Sequence, residues 1–331
     1  MAKNKIFVTG SDGFIGSHLV EELVSQGFRV KALCQYNSFN SWGWLDSFSE
    51  NQLNEIEIVS GDIRDFNGLK SLMQGCDSVM HLAALIAIPY SYSSPESYID
   101  TNVKGTLNVV QAARDLNMKR VLVTSTSEVY GTAQYVPIDE SHRKHAQSPY
   151  AATKIAADEI ALSYYRSFGT RVRIIRPFNT YGPRQSFRAV IPTIIGQVLN
   201  PECEEIFLGN LQATRDFNFV TDTASGFVCM SKNENCDGKA LNVASNFEIS
   251  ILDIAKLVMD YLDIHKKIST DASRLRPKNS EVERLFGSNR EFIKLTGWKP
   301  EFSGIDGFRK GIKKTIEWFK LNNKISKEYS L

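Results

Sequence analysis

The chain has 331 residues, of which 42% are hydrophobic and 23% are charged. This much apolar material can fill a sizeable core and excludes an intrinsically disordered chain. The 39 Lys and Arg residues nearly balance the 37 Asp and Glu residues, so we expect neither a nucleic-acid partner nor a membrane surface. The length fits two domains of usual size, or one large α/β domain with an added lobe.

Apolar stretches and cysteines indicate the compartment. The longest apolar stretch, residues 82–88, ends at Pro89 and is too short to cross a bilayer. The opening letters MAKNKIFVTG lack the apolar segment of a secretory signal. The five cysteines are odd in number and share no CxxC spacing. We therefore predict a cytoplasmic protein with reduced thiols, and neither a disulfide framework nor a metal site.

Short apolar runs alternate with helical patterns through the first half of the chain. In the first helical pattern Ile15, Leu19 and Leu23 recur every four residues, and Gly27 follows as a stop signal. This alternation predicts an α/β fold, a Rossmann-type doubly wound parallel sheet with helices on both faces. The candidate strands are residues 5–9, 29–33, 56–59, 78–82, 121–125 and 172–175, and helical stretches include residues 106–117 and 151–168.

The rhythm changes after Arg176, where loop-like pieces interrupt shorter elements. We predict a dinucleotide-binding domain over residues 1–175 and a smaller, mixed α/β substrate lobe over residues 176–331, with some segments of the second half returning to the first domain. No flexible linker separates the halves, so we expect them to pack tightly with ligand between them.

Three glycines, Gly10, Gly13 and Gly16, lie between the first strand and the first helix. Glycines there allow a tight turn and a close approach of the backbone to a pyrophosphate, which then meets the free N–H groups of the helix N-terminus. Such glycines also occur in tight turns that bind nothing. Their place between strand and helix favours a dinucleotide site, with Phe14 and Ile15 as further contacts.

The second candidate strand lacks the expected ribose-binding acid. It ends in the letters LCQY at residues 33–36, where dinucleotide folds usually carry Asp or Glu. No Arg follows directly to bind a 2′-phosphate, so we expect NAD while NADP stays open. Asp62 and Ile63, after the third strand, are candidate adenine contacts, and an ordinary turn explains them equally well.

Tyr150 and Lys154 are four residues apart and share one helix face. We expect the nearby ammonium to lower the tyrosine pKa. Such a tyrosine can take a proton from a sugar hydroxyl while hydride leaves the same carbon. Thr126 follows the fifth strand, and its hydroxyl can share that proton.

These motifs resemble the extended short-chain dehydrogenases/reductases of the nucleotide-sugar epimerase/dehydratase family. Residues 36–44 and 126–135 resemble, more narrowly, the 4,6-dehydratases of legionaminic-acid-type pathways, which act on nucleotide-linked N-acetylglucosamine. The matching segments occur in the family's order over nearly the whole chain: residues 8–16, 81–84, 102–106, 125–131, 150–154, 176–183, 215–217 and 276–277.

The resemblance implies catalytic roles for five residues. Thr126, Tyr150 and Lys154 occupy the hydride-transfer triad, and Glu128 matches the base that removes the C5 proton. Ser127 stands where the dTDP-glucose dehydratases carry the Asp that protonates the departing C6 hydroxyl. Serine is a poor acid, so either Glu128 does both jobs or a water relay assists. The same Thr-Ser-Glu triplet occurs in UDP-glucuronate decarboxylases, which keeps that reaction open.

Elementary chemistry also favours a role for Glu128. Oxidation at C4 makes a ketone, which acidifies the C5 proton, so that a carboxylate can remove it and the C6 hydroxyl can leave. Return of the hydride to C6 regenerates NAD. A C4 epimerase removes no C5 proton and has no need of this carboxylate. The alternative is a plain turn carboxylate.

By the same resemblance Leu82, Ala83 and Ala84 contact the cofactor. The candidate substrate residues are Asn179, Arg188, Arg215 and Arg276, since arginine forks suit phosphate oxygens, although a lone arginine is often a surface ion pair.

We expect a UDP- or GDP-N-acetylglucosamine 4,6-dehydratase that uses NAD and forms a homodimer through the helices at residues 106–117 and 151–168. The alternatives are a UDP-glucuronate decarboxylase, a UDP-sugar 4-epimerase and a non-catalytic dinucleotide sensor. The presence of both Tyr150 and Lys154 argues against the sensor.

Overall fold

The computed structural model describes residues 4–322, so the ends of both predicted domains, residues 1–3 and 323–331, lie outside the described part. The strands are β1 (Lys5–Thr9), β2 (Arg29–Gln35), β3 (Ile56–Gly61), β4 (Ser78–His81), β5 (Arg120–Thr124), β6 (Val172–Pro177), β7 (Asn179–Tyr181), β8 (Glu205–Leu208), β9 (Thr214–Phe219), β10 (Ala240–Val243), β11 (Glu248–Ser250), β12 (Lys267–Thr270) and β13 (Arg284–Leu285).

Helices cover the sheets and join the strands. They are α1 (Phe14–Ser25), α2 (Glu50–Leu53), α3 (Phe66–Met73), α4 (Ile88–Ser93), α5 (Pro95–Tyr98), α6 (Gly105–Asp115), α7 (Pro149–Phe168), α8 (Val190–Leu199), α9 (Val220–Lys232), α10 (Ile251–Leu262), α11 (Arg290–Thr296) and α12 (Gly304–Leu321). None of the helices within residues 4–322 combines the length and apolar character that crossing a membrane requires.

The large sheet has seven strands in the order β10-β6-β5-β4-β1-β2-β3, and all of its pairs are parallel. This confirms the Rossmann-type fold and the six predicted strands, although β4 and β5 end at His81 and Thr124, each one residue before the expected end. Buried runs explain most of these strands, because helices cover both faces of a parallel sheet, whereas the edge strand β3 has no buried residue. Their carboxyl ends share one edge, where such folds bind ligands.

The second half of the chain contributes strands to the large sheet and also forms smaller sheets of its own. β6 spans the expected junction at residue 175, and the later β10 pairs with β6 in the large sheet, while α9 packs against α1. The remaining strands form a smaller sheet, in which β9 pairs with β7, β11 and β13, and a separate β8–β12 pair. This lobe has its own core, which includes Tyr181, Phe217, Phe219 and Phe308.

One segment of the second half crosses back over the first. Ser280 Oγ donates to the carbonyl of Gln147 at 2.5 Å and also bonds the hydroxyl of Tyr92. The Gln147 amide in turn donates to the carbonyl of Glu281 at 3.0 Å. These bonds hold Ser280 and Glu281 against the first domain. Arg276, from the same segment, lies beside Glu128 in the turn that follows β5.

Candidate active site

The loop between β1 and α1 is shaped for a group that needs close backbone approach. Gly10 has a φ of +67°, and a Cβ there would lie 2.7 Å from the Ala83 nitrogen. A Cβ on Gly16 would lie 1.9 Å from the Gly10 carbonyl oxygen, so neither glycine can be replaced without a clash. Gly13 precedes α1 with no side chain capping the helix, which leaves the first N–H groups available. The loop therefore fits a pyrophosphate.

The segment after β4 is tied to the phosphate loop by Thr9. Its hydroxyl accepts from the Leu82 and Ala83 backbone at 3.1 Å each. It also lies 2.8 Å from His81 Nδ1, whose Nε2 meets the Thr106 hydroxyl at 3.2 Å. Burial lowers the pKa of His81 to about 3, so this histidine is a neutral connector that positions residues 82–84.

The two residues that we expect to contact the adenine, Asp62 and Ile63, both interact with other residues of the protein. Asp62 forms an ion pair with Arg64 at 2.5 Å, and the bonds to Arg64 lower the pKa of Asp62. Ile63 is buried, and a Cβ on Gly105 would meet its side chain at 2.5 Å. An adenine contact for Asp62 and Ile63 stays a prediction.

The first turns of α7 carry Tyr150 and Lys154. Ser148 caps the helix by accepting from the Ala151 nitrogen at 3.1 Å, which fixes the direction of the next turn. Both Tyr150 and Lys154 are buried. Lys154 Nζ donates to the carbonyl of Thr124, the last residue of β5, at 2.6 Å, so the α7 pair lies at the carboxyl end of β5.

The pKa of Tyr150 differs from our expectation. Burial raises it, while a hydrogen bond with Thr126 lowers it. The Lys154 ammonium donates to the Thr124 carbonyl, and burial lowers the pKa of Lys154 to about 8. Thr126, more than Lys154, is the protein group that favours the Tyr150 phenolate here.

Two hydroxyls at this strand end have unused hydrogen-bonding capacity. Thr124 Oγ1 and Ser125 Oγ are buried and have no hydrogen-bond partner within residues 4–322. Buried polar atoms are nearly always paired, so these atoms favour a polar ligand at the β5 edge and fit a nicotinamide cofactor with a sugar. Sequence reasoning missed Ser125 as a site residue, although it lies inside the matching segment 125–131.

Asn102 is a second residue that the sequence analysis did not single out. Its side chain exchanges two hydrogen bonds of 2.9 Å with the Leu85 backbone and donates to Thr153 Oγ1 at 3.1 Å. It thereby ties the loop after β4 to the helix that carries Tyr150. The matching segment 102–106 contained this residue, but nothing in the sequence indicated what it holds.

Glu128 lies in a short helical turn, residues 127–130, directly after Thr126. Its backbone N–H donates to Thr126 Oγ1 at 3.2 Å, which holds the Thr126 side chain against the turn that carries Glu128. Glu128 Oε2 lies 3.8 Å from Arg276 Nη1. The carboxylate therefore belongs to the same cleft as the Tyr150–Thr126 pair, and the second lobe supplies its counter-charge.

Arg276 and Arg215 bring two positive charges to this cleft. Arg276 Nη1 is buried and lacks a hydrogen-bond partner among the residues of the described chain. Arg215 is buried, donates to the carbonyls of Thr214 and Val282, and feels the charges of Glu128 and Arg276. One guanidinium is thus fixed by the protein, and the other keeps a free donor for an anion.

Three further predicted site residues, Asn179, Arg188 and Ser127, have fewer contacts that indicate a role. Asn179 begins β7 beside Phe217. Arg188 is exposed, yet its charge acts on Tyr98, whose ring packs edge-on against Tyr150 at 6.3 Å. Ser127 is buried in the turn between Thr126 and Glu128. Roles for these three residues stay predictions.

No group of three or more His, Cys, Asp or Glu residues suited to a metal ion occurs within residues 4–322. The carboxyl edge of the sheet thus combines three features. They are a loop shaped for a dinucleotide, a tyrosine that can act as a base, and a carboxylate that faces an arginine.

A family profile described as GDP-mannose 4,6 dehydratase matches residues 7–315. The dTDP-D-glucose 4,6-dehydratase of Bos taurus is 30% identical over 328 residues, which cover 96% of this chain and 89% of that protein. The UDP-N-acetyl-alpha-D-glucosaminuronate decarboxylase of Bacillus cytotoxicus is 32% identical and covers 80% of each chain.

Solved structures agree with the fold. The dTDP-glucose 4,6-dehydratase DesIV from Streptomyces venezuelae, solved as a double mutant with NAD, has a TM-score of 0.85 at 26% identity and covers 96% of this chain and 97% of its own. A UDP-N-acetylglucosamine 4-epimerase from Methanobrevibacter ruminantium has a TM-score of 0.85 at 28% identity, over 97% of this chain and 100% of its own. With the phosphate loop and the Tyr150–Lys154 pair, these matches show that the chain belongs to the GDP-mannose 4,6-dehydratase family of extended short-chain dehydrogenases/reductases, enzymes that act on nucleotide sugars.

Proposed function

We propose that this protein is an NAD-dependent 4,6-dehydratase that converts UDP- or GDP-N-acetylglucosamine to the 4-keto-6-deoxy sugar. The observation that carries the proposal is the position of Glu128. Its carboxylate shares a cleft with Thr126 and Tyr150 and faces Arg276 at 3.8 Å. An acid at this place is what separates loss of water from simple epimerisation.

Tyr150 starts the reaction as a general base. It takes the proton of the C4 hydroxyl, and its hydrogen bond with Thr126 stabilises the phenolate that this step requires. NAD, when bound, accepts the C4 hydride and later returns it to C6. Lys154, held at the Thr124 carbonyl, keeps a positive charge beside the edge where the cofactor binds.

Glu128 then removes the C5 proton, which the C4 ketone has made acidic. The protonated Glu128 can give the same proton to the C6 hydroxyl, which leaves as water. When hydride returns to C6, C5 takes up one proton, which the proton that Tyr150 took from the C4 hydroxyl balances. The sequence therefore needs no second acid and is compatible with Ser127 in place of Asp. Arg276 balances the charge of the carboxylate before it reacts.

The arginines of the second lobe bind the nucleotide end of the substrate. Arg276 Nη1 faces Glu128 at 3.8 Å but makes no hydrogen bond among the described residues, so it can donate to a phosphate oxygen. Arg215 adds a second positive charge close to it. We assign Asn179 and Arg188 to the same substrate, with Arg188 nearest the Tyr98 wall.

Decarboxylation of a nucleotide-linked uronic acid is the second candidate. Ser127 favours it, because a decarboxylase loses carbon dioxide and needs no acid for a C6 hydroxyl. The similarity to the Bacillus cytotoxicus decarboxylase adds support. C4 epimerisation is a third reaction of the same fold, in which Glu128 has no proton to remove.

Mass spectrometry of reactions with UDP-N-acetylglucosamine, GDP-N-acetylglucosamine and UDP-glucuronic acid separates these candidates. We expect one of the first two substrates to lose one water without net formation of reduced cofactor. Loss of carbon dioxide from the uronic acid would assign a decarboxylase. An isomer of unchanged mass would assign an epimerase and contradict the proposal.

We also propose that the protein acts as a cytoplasmic homodimer. The helices α6 and α7 pack together and expose apolar side chains, among them Leu107 and Phe168. A second copy of this helix pair would cover them in a four-helix contact.

A further inference from the structure

The end of β2 lacks an acid that could contact the ribose. Dinucleotide folds place Asp or Glu there to bind the 2′-hydroxyl, whereas this strand ends at Cys34 and Gln35. The following residues 36–48 contain one acid, Asp46, and neither Lys nor Arg. Asp46 uses both oxygens inside its own loop, on Ser41 Oγ at 2.6 Å and the Trp42 nitrogen at 3.0 Å.

Asp12 brings a carboxylate to this place from another segment. It lies in the phosphate loop between Gly10 and Gly13, and its Oδ2 accepts from the Gln35 nitrogen at 3.2 Å. The acid therefore stands at the carboxyl end of β2 although the chain supplies it from the turn after β1. It also belongs to the loop that would hold the pyrophosphate, next to which a ribose must lie.

The backbone of Asp12 is fixed by the loop that follows β2. The Trp44 nitrogen donates to the Asp12 carbonyl at 3.0 Å, and a Cβ on Gly43 would lie 2.5 Å from that oxygen. Asp12 is half-buried, and no ion pair with a cation involves it among the described residues. Burial raises its pKa, as is usual for an uncompensated carboxylate.

We propose that Asp12 replaces the missing β2 acid, accepts a hydrogen bond from the adenosine ribose and repels a 2′-phosphate, so that it selects NAD over NADP. The proposal rests on the dinucleotide binding in the proposed function, but not on the reaction that follows. A carboxylate is an acceptor only and matches a 2′-hydroxyl donor. Next to a 2′-phosphate it would place like charges together in a partly buried site.

The test is a binding measurement on the full chain freed of co-purifying nucleotide. NADH and NADPH are titrated separately, with the fluorescence of the reduced nicotinamide as the signal. Asp12→Asn keeps an oxygen acceptor for the Gln35 nitrogen and removes the charge. We expect NADH affinity to fall about tenfold, while NADPH affinity is unchanged or higher, so that the preference for NADH shrinks. Asp46→Asn, the matched control, should keep the wild-type preference.

Two results would overturn the proposal. If Asp12→Asn lowers the NADH and NADPH affinities by the same factor, Asp12 only holds the phosphate loop to the end of β2. If the preference for NADH is unchanged, Asp12 does not select the cofactor. If thermal unfolding shows that Asp12→Asn is not folded, the ratio of NADH to NADPH affinity is measured for Asp12→Ser instead. A wild-type protein that binds neither nucleotide would overturn the proposed function as well, whereas an unaltered ratio leaves that function standing.

Discussion

Tyr150 and Thr126 together control the first proton transfer in this account. Replacement of Tyr150 by Phe should slow C4 oxidation by about 10²–10⁴-fold, the usual contribution of a general base. Thr126→Val should slow it less, because it removes only the bond that lowers the Tyr150 pKa. The measurement is the single-turnover formation of reduced cofactor.

A matched control for this prediction lies on the same helix. Tyr164 also belongs to α7 and donates its hydroxyl to Gln111 at 2.6 Å, away from the cleft. Tyr164→Phe should keep the wild-type rate. Equal rates for the Tyr150 and Tyr164 variants would remove Tyr150 from the chemistry.

His81 should make the fold sensitive to acid. Its pKa in the folded protein is about 3, against an ordinary value of 6.5, so the native state binds fewer protons than the unfolded state between these values. The stability it contributes is complete above pH 6.5 and is lost as the pH falls toward 3. The free energy of unfolding of His81→Gln should therefore fall less steeply than that of wild type below pH 6.5.

Denaturant titrations at several pH values measure how steeply the free energy of unfolding changes with pH. The variant loses the bonds to Thr9 and Thr106, so it should be less stable than wild type near neutral pH. A His265→Gln control, at an exposed position, should keep the wild-type slope. Parallel slopes for wild type and His81→Gln would contradict the assignment of a buried neutral histidine.

Some site residues can be read from local sequence, and others cannot. Tyr150 and Lys154 are four apart on one helix, so their shared face follows from helix geometry alone. The link between Asp12 and Gln35 joins two different loops, and no local pattern encodes it. The same holds for the Tyr150 pKa, because burial by surrounding elements outweighs the neighbour one turn away.

At the scale of an element, the glycines of the phosphate loop differ in how much room the protein leaves for a side chain. A Cβ on Gly16 would lie 1.9 Å from the Gly10 oxygen, whereas a Cβ on Gly13 would make an ordinary 3.4 Å contact. Gly16→Ala should therefore destabilise the fold by about 1–3 kcal/mol. Gly13→Ala should fold with nearly wild-type stability and bind NADH weakly, because its methyl group occupies the space of the pyrophosphate.

Thermal unfolding and NADH titration of both variants test this difference. Gly226→Ala serves as a control for substitution alone, since a Cβ there would make only ordinary contacts, the nearest at 3.5 Å. If Gly13→Ala bound NADH as wild type does, the loop would not be the pyrophosphate site.

The predictability of the elements follows from how they are built. The strands β1, β2, β4, β5 and β6 could be predicted because each contains a buried run bounded by turn residues. The edge strand β3 has no buried residue, and only its short run of β-branched residues predicted it. The four-residue β10 could not be assigned, because its membership in the large sheet depends on pairing with β6 rather than on its own pattern. The burial of His142 against Tyr130 and Tyr135 likewise depends on tertiary contacts and not on a local pattern.

At the scale of the whole molecule, the cleft requires both halves of the chain. Glu128 comes from the turn that follows β5 of the large sheet, and Arg276 comes from the segment held by Ser280 and Gln147. The Ser280–Gln147 bond joins residues 133 positions apart. The sequence analysis therefore named Glu128 and Arg276 without showing how the chain brings them together. The resemblance to a family supplied that part of the prediction.

The proposed dimer is also tested at this scale. Leu107→Glu would place a charge on the exposed apolar face of α6 and α7, and we expect it to convert a dimer into a monomer. Ile305→Glu, on the similarly exposed start of α12, should remain a dimer. Light scattering after size-exclusion chromatography measures the mass, and a monomeric wild type or a dimeric Leu107→Glu variant would contradict the proposed contact.

The most direct test of the central claim is the Glu128→Gln variant incubated with the preferred nucleotide sugar. Mass spectrometry reports loss of water, and absorbance reports reduced cofactor. We predict that C4 oxidation continues and reduced cofactor accumulates, while loss of water falls by about 10²–10⁴-fold. Glu140→Gln, whose carboxylate accepts from the Asn242 nitrogen outside the cleft, should keep wild-type turnover. Undiminished loss of water from Glu128→Gln would contradict the account.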